Sequence, residues 1–209
     1  MLQDADMTLR AVLAEGLPPG TRLDFATPDQ AWRAGVGTGP AVNAYLVQLR
    51  EDVLSRSAHW MTVYDDEDRA VGRQEPVRRI RAHYVLTAWA ASAEDEHALL
   101  GAVLRTAATG ATLPARCLAG SLEGLGDLVT LDVAHPDLPA FPLEGWSSLG
   151  VPPRACLDLV LTVPLVPPVD HDLASRPVTI DLGISGRVPA PASPARRSGN
   201  PRGRITEGR

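Results

Sequence analysis

The chain has 209 residues, 44% hydrophobic and 22% charged, enough to bury a real core in one domain with appendages. Its formal net charge is −5, and with no lysine present all 20 basic residues are arginine. No apolar run approaches the length that spans a bilayer, and MLQDADMTLRAVLAEGL carries acids where a signal peptide needs bases, so neither a membrane span nor a secretion signal is expected.

In chain order, Asp4 to Leu17 places Met7, Ala11, Val12, Leu13 and Leu17 at helical spacing, with Asp4 or Asp6 available as a cap. Gly16 and Pro18-Pro19 end that pattern. Thr21 to Thr27 alternates as a short strand closed by Pro28. Ala34 to Pro40 has three glycines at alternate positions, the wrong spacing for a dinucleotide fingerprint, and reads as a loop. Ala41 to Val53 is a strand apolar on both faces and therefore central. His59 to Tyr64 and Arg69 to Gly72 form a hairpin around the acidic turn Asp65 to Asp68.

Val77 to Ala91 is a long strand, half-exposed early and buried on both faces later. Ser92 then caps a helix in a capping-box arrangement with Asp95. Glu94, Asp95 and Glu96 lie in its first turn, where the helix dipole favours negative charge. Leu99, Leu100, Val103 and Leu104 form its apolar stripe, and Gly110 stops it. A small helix near Ala115 to Glu123 precedes a strand over Asp127 to Ala134, which turns Val129, Leu131 and Val133 inward. Leu143 to Leu149 is a short helix. Ala155 to Val166 is a strand with Leu157, Leu159, Leu161, Val163 and Leu165 on one face. Val178 to Ile184 has the pattern of one more short strand.

From Ser185 onward the chain is rich in Pro, Ala, Ser, Gly and Arg without periodicity, the composition of a disordered tail. Gly186 to Arg209 holds six arginines against one acid, a net +5 that leaves −10 on the rest. An acidic body with a basic tail points to interaction through the tail. These elements predict an α+β fold: a mostly antiparallel or mixed sheet of about six strands with helices packed on it. The division is a domain over 1–168 and a Pro/Arg-rich, partly disordered extension over 169–209.

Catalytic patterns are missing from the sequence. The histidines His59, His83, His97, His135 and His171 form no metal-ligand spacing, and there is no phosphate loop and no nucleophile elbow around Ser147-Ser148. Asp170-His171-Asp172 follows two prolines in a linker where nothing would desolvate it, and the acidic turn lacks the glycine and terminal glutamate of a calcium loop. Cys117 and Cys156, far apart and in no C-x-x-C spacing, read as free, buried, reduced thiols, and nothing in the sequence asks for a disulfide. Trp89 is expected in the core, and Trp60 either packs inside or faces a partner. No enzyme, metal or cofactor is expected.

Three segments carry a family resemblance: VNAYLVQLRED (Val42 to Asp52), RAHYVLTAWA with AEDEHALLGAVLR (Arg81 to Arg105), and LDLVLTVPL (Leu157 to Leu165). In order and spacing they resemble the tail-terminator, or cap, proteins of extracellular contractile injection systems. These are phage-tail-like machines such as the antifeeding prophage and the Photorhabdus virulence cassettes. The resemblance implies a non-enzymatic ring, usually a hexamer, that ends tube and sheath polymerisation and anchors the last sheath layer.

Its implied partners are further copies of itself and the sheath and inner-tube proteins of the particle; no membrane or nucleic acid is expected. Assembly would take place in the cytoplasm, with the particle either retained or released. Some members carry a larger C-terminal region than the forty or so residues that follow Val166 here. Polar or amphipathic groups on apolar strands are the candidate subunit or sheath contacts: Arg50, Glu51, Asp52, Trp60, Arg79, Arg81 and His83. Arg187, Arg196, Arg197, Arg202 and Arg204 are the candidate tail contacts. The alternative is an adaptor that holds cargo or nucleic acid through the arginine tail.

Overall fold

Three long strands paired edge to edge organise the molecule. In the computed structural model these are β2 (Ala41–Glu51), β5 (Arg78–Trp89) and β7 (Cys156–Leu165). The short strands β1 (Arg22–Asp24) and β6 (Thr130–Val133) flank them in the order β1-β2-β5-β7-β6. β1 runs parallel to β2 and every other pairing is antiparallel, so the sheet is mixed. A second, antiparallel sheet joins β3 (Met61–Tyr64), β4 (Ala70–Gln74) and β8 (Val169–Asp170). Its first two strands form the expected hairpin, inserted between the paired strands β2 and β5. The described residues are 1–56, 58–108, 112–135 and 141–171, within one unit, Met1–Leu173. The α+β expectation holds. The predicted strand at 178–184 and the arginine tail lie outside the described residues.

One face of the main sheet is covered by α1 (Leu2–Ala14) and α3 (Ala93–Ala107). Tyr84, Leu86, Leu159 and Leu161 of the strands pack there against Leu9, Leu13, Leu99 and Val103 of the helices. The Tyr84 hydroxyl donates to Asp6 at 2.8 Å, which satisfies the polar end of a ring that is otherwise fully buried. The helix stripes differ in part from the periodic reading. Met7 is 48% exposed, while Ala5 and Thr8 are buried in its place. Leu104 is also on the exposed side, and Ala102 and Ala107 complete the buried stripe of α3. Neither Asp4 nor Asp6 caps α1, whose N-cap is Met1; Asp4 binds the terminal ammonium at 2.9 Å and the Ser121 hydroxyl at 2.5 Å.

Ser92 caps α3 as expected, accepting from the Asp95 N–H at 3.1 Å. The Asp95 carboxylate accepts from the Ser92 hydroxyl instead of reaching the backbone. Helix α3 ends at Ala107, before Gly110, which lies outside the described residues. The helix expected over 115–123 is two separate 3₁₀ turns, Ala115–Cys117 and Gly120–Leu122.

The opposite face is divided. Its half near Ala41 and Trp89 is covered by α2 (Gln30–Val36) and α4 (Leu143–Leu149). Trp89 is the centre of that smaller core: Trp32 meets it edge-on at 5.4 Å, and the Arg154 guanidinium lies over its ring at 3.4 Å. Helix α2 replaces the start of the predicted glycine loop. Asp29 caps it by accepting from the Trp32 N–H at 2.7 Å, and Gly37, at φ 73°, ends it in a conformation that favours glycine. Cys117 is buried and Cys156 partly so, and neither is in a disulfide.

Candidate functional site

Among the described residues no helix lies over the remaining half of that second face. Its strands carry polar residues on the side that faces away from α1 and α3. A bulge in β2 sets this arrangement: the register with β5 shifts between Leu46 and Gln48. Before the shift Ala41, Asn43 and Tyr45 oppose Trp89, Thr87 and Val85; after it Gln48 opposes His83 and Arg50 opposes Arg81. A residue opposite another across a pair shares its face, so the extra residue moves Arg50 off the helix-covered side.

Five of the seven predicted contact residues, Arg50, Glu51, Asp52, Arg81 and His83, converge on one open groove of about 430 Å³. Val160 of β7 and His135, just beyond β6, also line it. Val53 and Leu54, 66% and 99% exposed, add two apolar side chains from the 3₁₀ turn Val53–Ser55. Trp60, 53% exposed, lines a second depression of about 500 Å³ with Arg56, Glu75 and Arg78, and Val53 contributes to both.

Arg79 is not in the groove. Its Nη2 lies 3.4 Å from both the Leu128 carbonyl and the Thr130 hydroxyl, next to β6. His83 is 9% exposed, less than the half-exposed face predicted, and its Nε2 lies 3.2 Å from the Asp158 carboxylate. Asp52 accepts from the Ser55 hydroxyl at 2.6 Å, and this bond, with help from Arg79 and Arg81, holds its carboxyl below the usual range against the effect of burial. Glu51 sits 3.8 Å from Arg56. The five predicted tail arginines lie outside the described residues.

Other polar groups singled out in the sequence have structural work. His171 Nδ1 lies 3.0 Å from the Val71 carbonyl at the β4–β8 contact. Asp65 ties the hairpin tip by accepting from the Arg69 backbone and guanidinium at 2.8 and 2.9 Å. Ser147 and Ser148 donate within their own helix, to Leu143 and Gly145 carbonyls. Among the described residues no three of His, Cys, Asp or Glu are grouped to hold a metal, and no helix is long and apolar enough to cross a membrane. Sequence reasoning missed Gln48, Val53, Leu54 and His135; the apolar pair in an otherwise polar exit, Asp52-Val53-Leu54-Ser55, was the available signal.

Two solved terminator structures are similar to this chain in fold. One is the PVC sheath/tube terminator of an extracellular contractile injection system in its extended state, with a TM-score of 0.61 and 21% identity over 88% of this chain and 65% of that one. The other is the tube-terminating cap of the anti-feeding prophage, with a TM-score of 0.62 and 19% identity over 87% of this chain and 60% of that one. This chain thus spans less than two thirds of either, and at such identities the likeness is one of fold. The chain belongs to the Pvc16 N-terminal domain family, whose model matches residues 4–180. No curated protein gives a significant match.

Proposed function

We propose that the chain is a non-enzymatic cap, or tail terminator, of a contractile injection system. In this role it ends tube and sheath polymerisation and anchors the last sheath layer. The observation that carries this reading is the shared fold: nine tenths of the chain, in round terms, superposes on two caps of such particles, and the family model spans nearly the same residues. The physical demand on a cap is particular. A growing sheath presents unsatisfied edges and surfaces at every layer, and the terminator has to cover them without offering a new copy. Strand addition is one means. Strand β3 pairs with β4 alone among the described strands, and Met61 and Tyr64 on it are exposed. Homohexameric ring formation and assembly in the cytoplasm belong to the same proposal.

Electron microscopy of particles from cells lacking the gene tests it. Missing, unstable or overlong sheaths with uncapped ends are expected; normally capped particles of normal length would overturn the reading. Mass measurement of the purified chain tests the ring, with a sixfold multiple expected.

A second reading, an adaptor acting through the tail, draws on the contrast between the +5 of residues 186–209 and the −10 of the rest. Deleting Pro191 to Arg209 separates the two. A cap keeps at least part of its binding to sheath or tube, whereas a tail-driven adaptor loses its partner on deletion and in raised salt.

A further inference from the structure

One arrangement on the uncovered half of the sheet works against the fold. Arg50 and Arg81 stand directly opposite each other across β2 and β5, on one face, and both are exposed. Like charges in that position oppose strand pairing. Among the described residues neither guanidinium makes a hydrogen bond or an ion pair. The acids nearby are engaged elsewhere. Asp52 is bonded to the Ser55 hydroxyl and acts on Arg81 only at longer range. Glu51 leans toward Arg56, and Asp158 is beside His83. A sheet that tolerates a like-charge pair without a direct ion pair at a groove is breaking a local rule, and such breaks concentrate at functional sites.

We infer that Arg50 and Arg81 form a receptor for an acidic polypeptide segment. Each guanidinium donates to one carboxylate in the two-pronged geometry that arginine favours. An apolar side chain next to those carboxylates rests on the exposed rim of Val53 and Leu54. Gln48, opposite His83, stands beside the pair as a neutral donor and acceptor.

The chemistry selects peptide over nucleic acid. Two arginines can each hold one isolated carboxylate, whereas Glu51 and Asp52 on either side interrupt the unbroken positive track that a continuous phosphate backbone follows. Among the described residues no Phe, Tyr or Trp lines the groove for a base to stack on. That the segment belongs to a neighbouring protein of the particle rests on the cap reading; the receptor itself does not.

The test uses the full chain and a fluorescein-labelled peptide with glutamates flanking leucines, read by anisotropy. The same peptide with glutamine for glutamate, and a short oligothymidylate, are the comparison probes. The wild type is expected to bind the acidic peptide, more weakly as salt rises. R50Q/R81Q is expected to bind at least about tenfold more weakly, and R105Q, on the helix-covered side, to bind as the wild type does. Because the substitutions remove repulsion, R50Q/R81Q should melt no lower than the wild type; a purely structural arginine pair would melt lower.

Equal peptide binding by R50Q/R81Q, equal binding of the glutamine peptide, or preference for the oligothymidylate overturns the inference. Should the double variant fail to fold, R50Q alone is read the same way. In cells lacking the gene, resupplied wild type should restore capped ends and resupplied R50Q/R81Q should not. Failure of the wild type to restore caps counts against the cap reading alone. Full restoration by R50Q/R81Q counts against the receptor alone.

Discussion

Asp24 shows how much one exposed-looking carboxylate can organise. Burial raises its affinity for a proton, but four donors outweigh that: Trp32 Nε1, the Arg22 guanidinium, and the backbone N–H groups of Ala26 and Phe25. Together they hold its carboxyl at about 2, below the ordinary 3.8. The sign follows. The folded state binds this proton less well than the unfolded chain, so the stabilisation is complete above pH 4 or so and is lost as pH falls toward 2. Acid unfolding of Asp24→Asn, followed by circular dichroism, is expected to lose this part of the decline between pH 4 and pH 2.

Trp89 carries a larger share by a different route, filling the smaller core with Trp32 and Arg154 around it. Trp89→Ala should cost about 3–5 kcal/mol in a denaturant titration. Removing only the hydroxyl, in Tyr84→Phe, should cost about 1 kcal/mol, since one hydrogen bond to Asp6 is lost without a cavity. The tryptophan was legible in the sequence as core. The cation over its ring was not, because Arg154 lies 65 positions away and only the fold brings them together.

Elements differ in how local their causes are. The start of α3 is set by neighbours in sequence: Ser92 caps it and three acids follow, so its position could be read directly. Ser92→Ala should lower stability by about 1 kcal/mol, a fall in melting temperature of about 2–4 °C for a chain of this size. Helix α2 depends on an equally local device, the Asp29 cap, but its seven residues are too few for a periodic signal and three glycines drew attention to a loop. The second sheet depends on distant pairing. A side chain on Gly72 would meet Val169 Cγ1 at 2.5 Å and the Asp170 carbonyl at 2.9 Å. Gly72→Ala should therefore loosen β8 from β4, seen as faster amide exchange at Gln74 while the main sheet stays protected.

At the scale of the whole molecule, the two faces of the main sheet are built for different ends. The face under α1 and α3 is apolar along all three long strands and supplies the core. The other face is closed by aromatic packing at one end and left open and charged at the other. A free-standing domain gains nothing from the open half; a subunit that docks in a particle does. The depression beside Trp60 and the arginine groove with its apolar rim share Val53 as a common wall. Raised salt should weaken the arginine contact more than a strand-edge contact at β3.

The sequence by itself determined the three long strands, the helices α1 and α3, where Ser92 starts a helix, and the family resemblance carried by three segments in order. These depend on period, capping and composition, all written within a few residues. Only the tertiary structure decided which residues share a face. Strict alternation from Val42 would put Arg50 on the helix-covered side, and the bulge near Val47 reverses that. A bulge is fixed by pairing with β5, more than thirty positions on, and no local pattern encodes it. Arg79, two residues before Arg81 and on the same face by alternation, serves β6 instead of the groove: its guanidinium is placed by a strand that lies some fifty positions on in the chain.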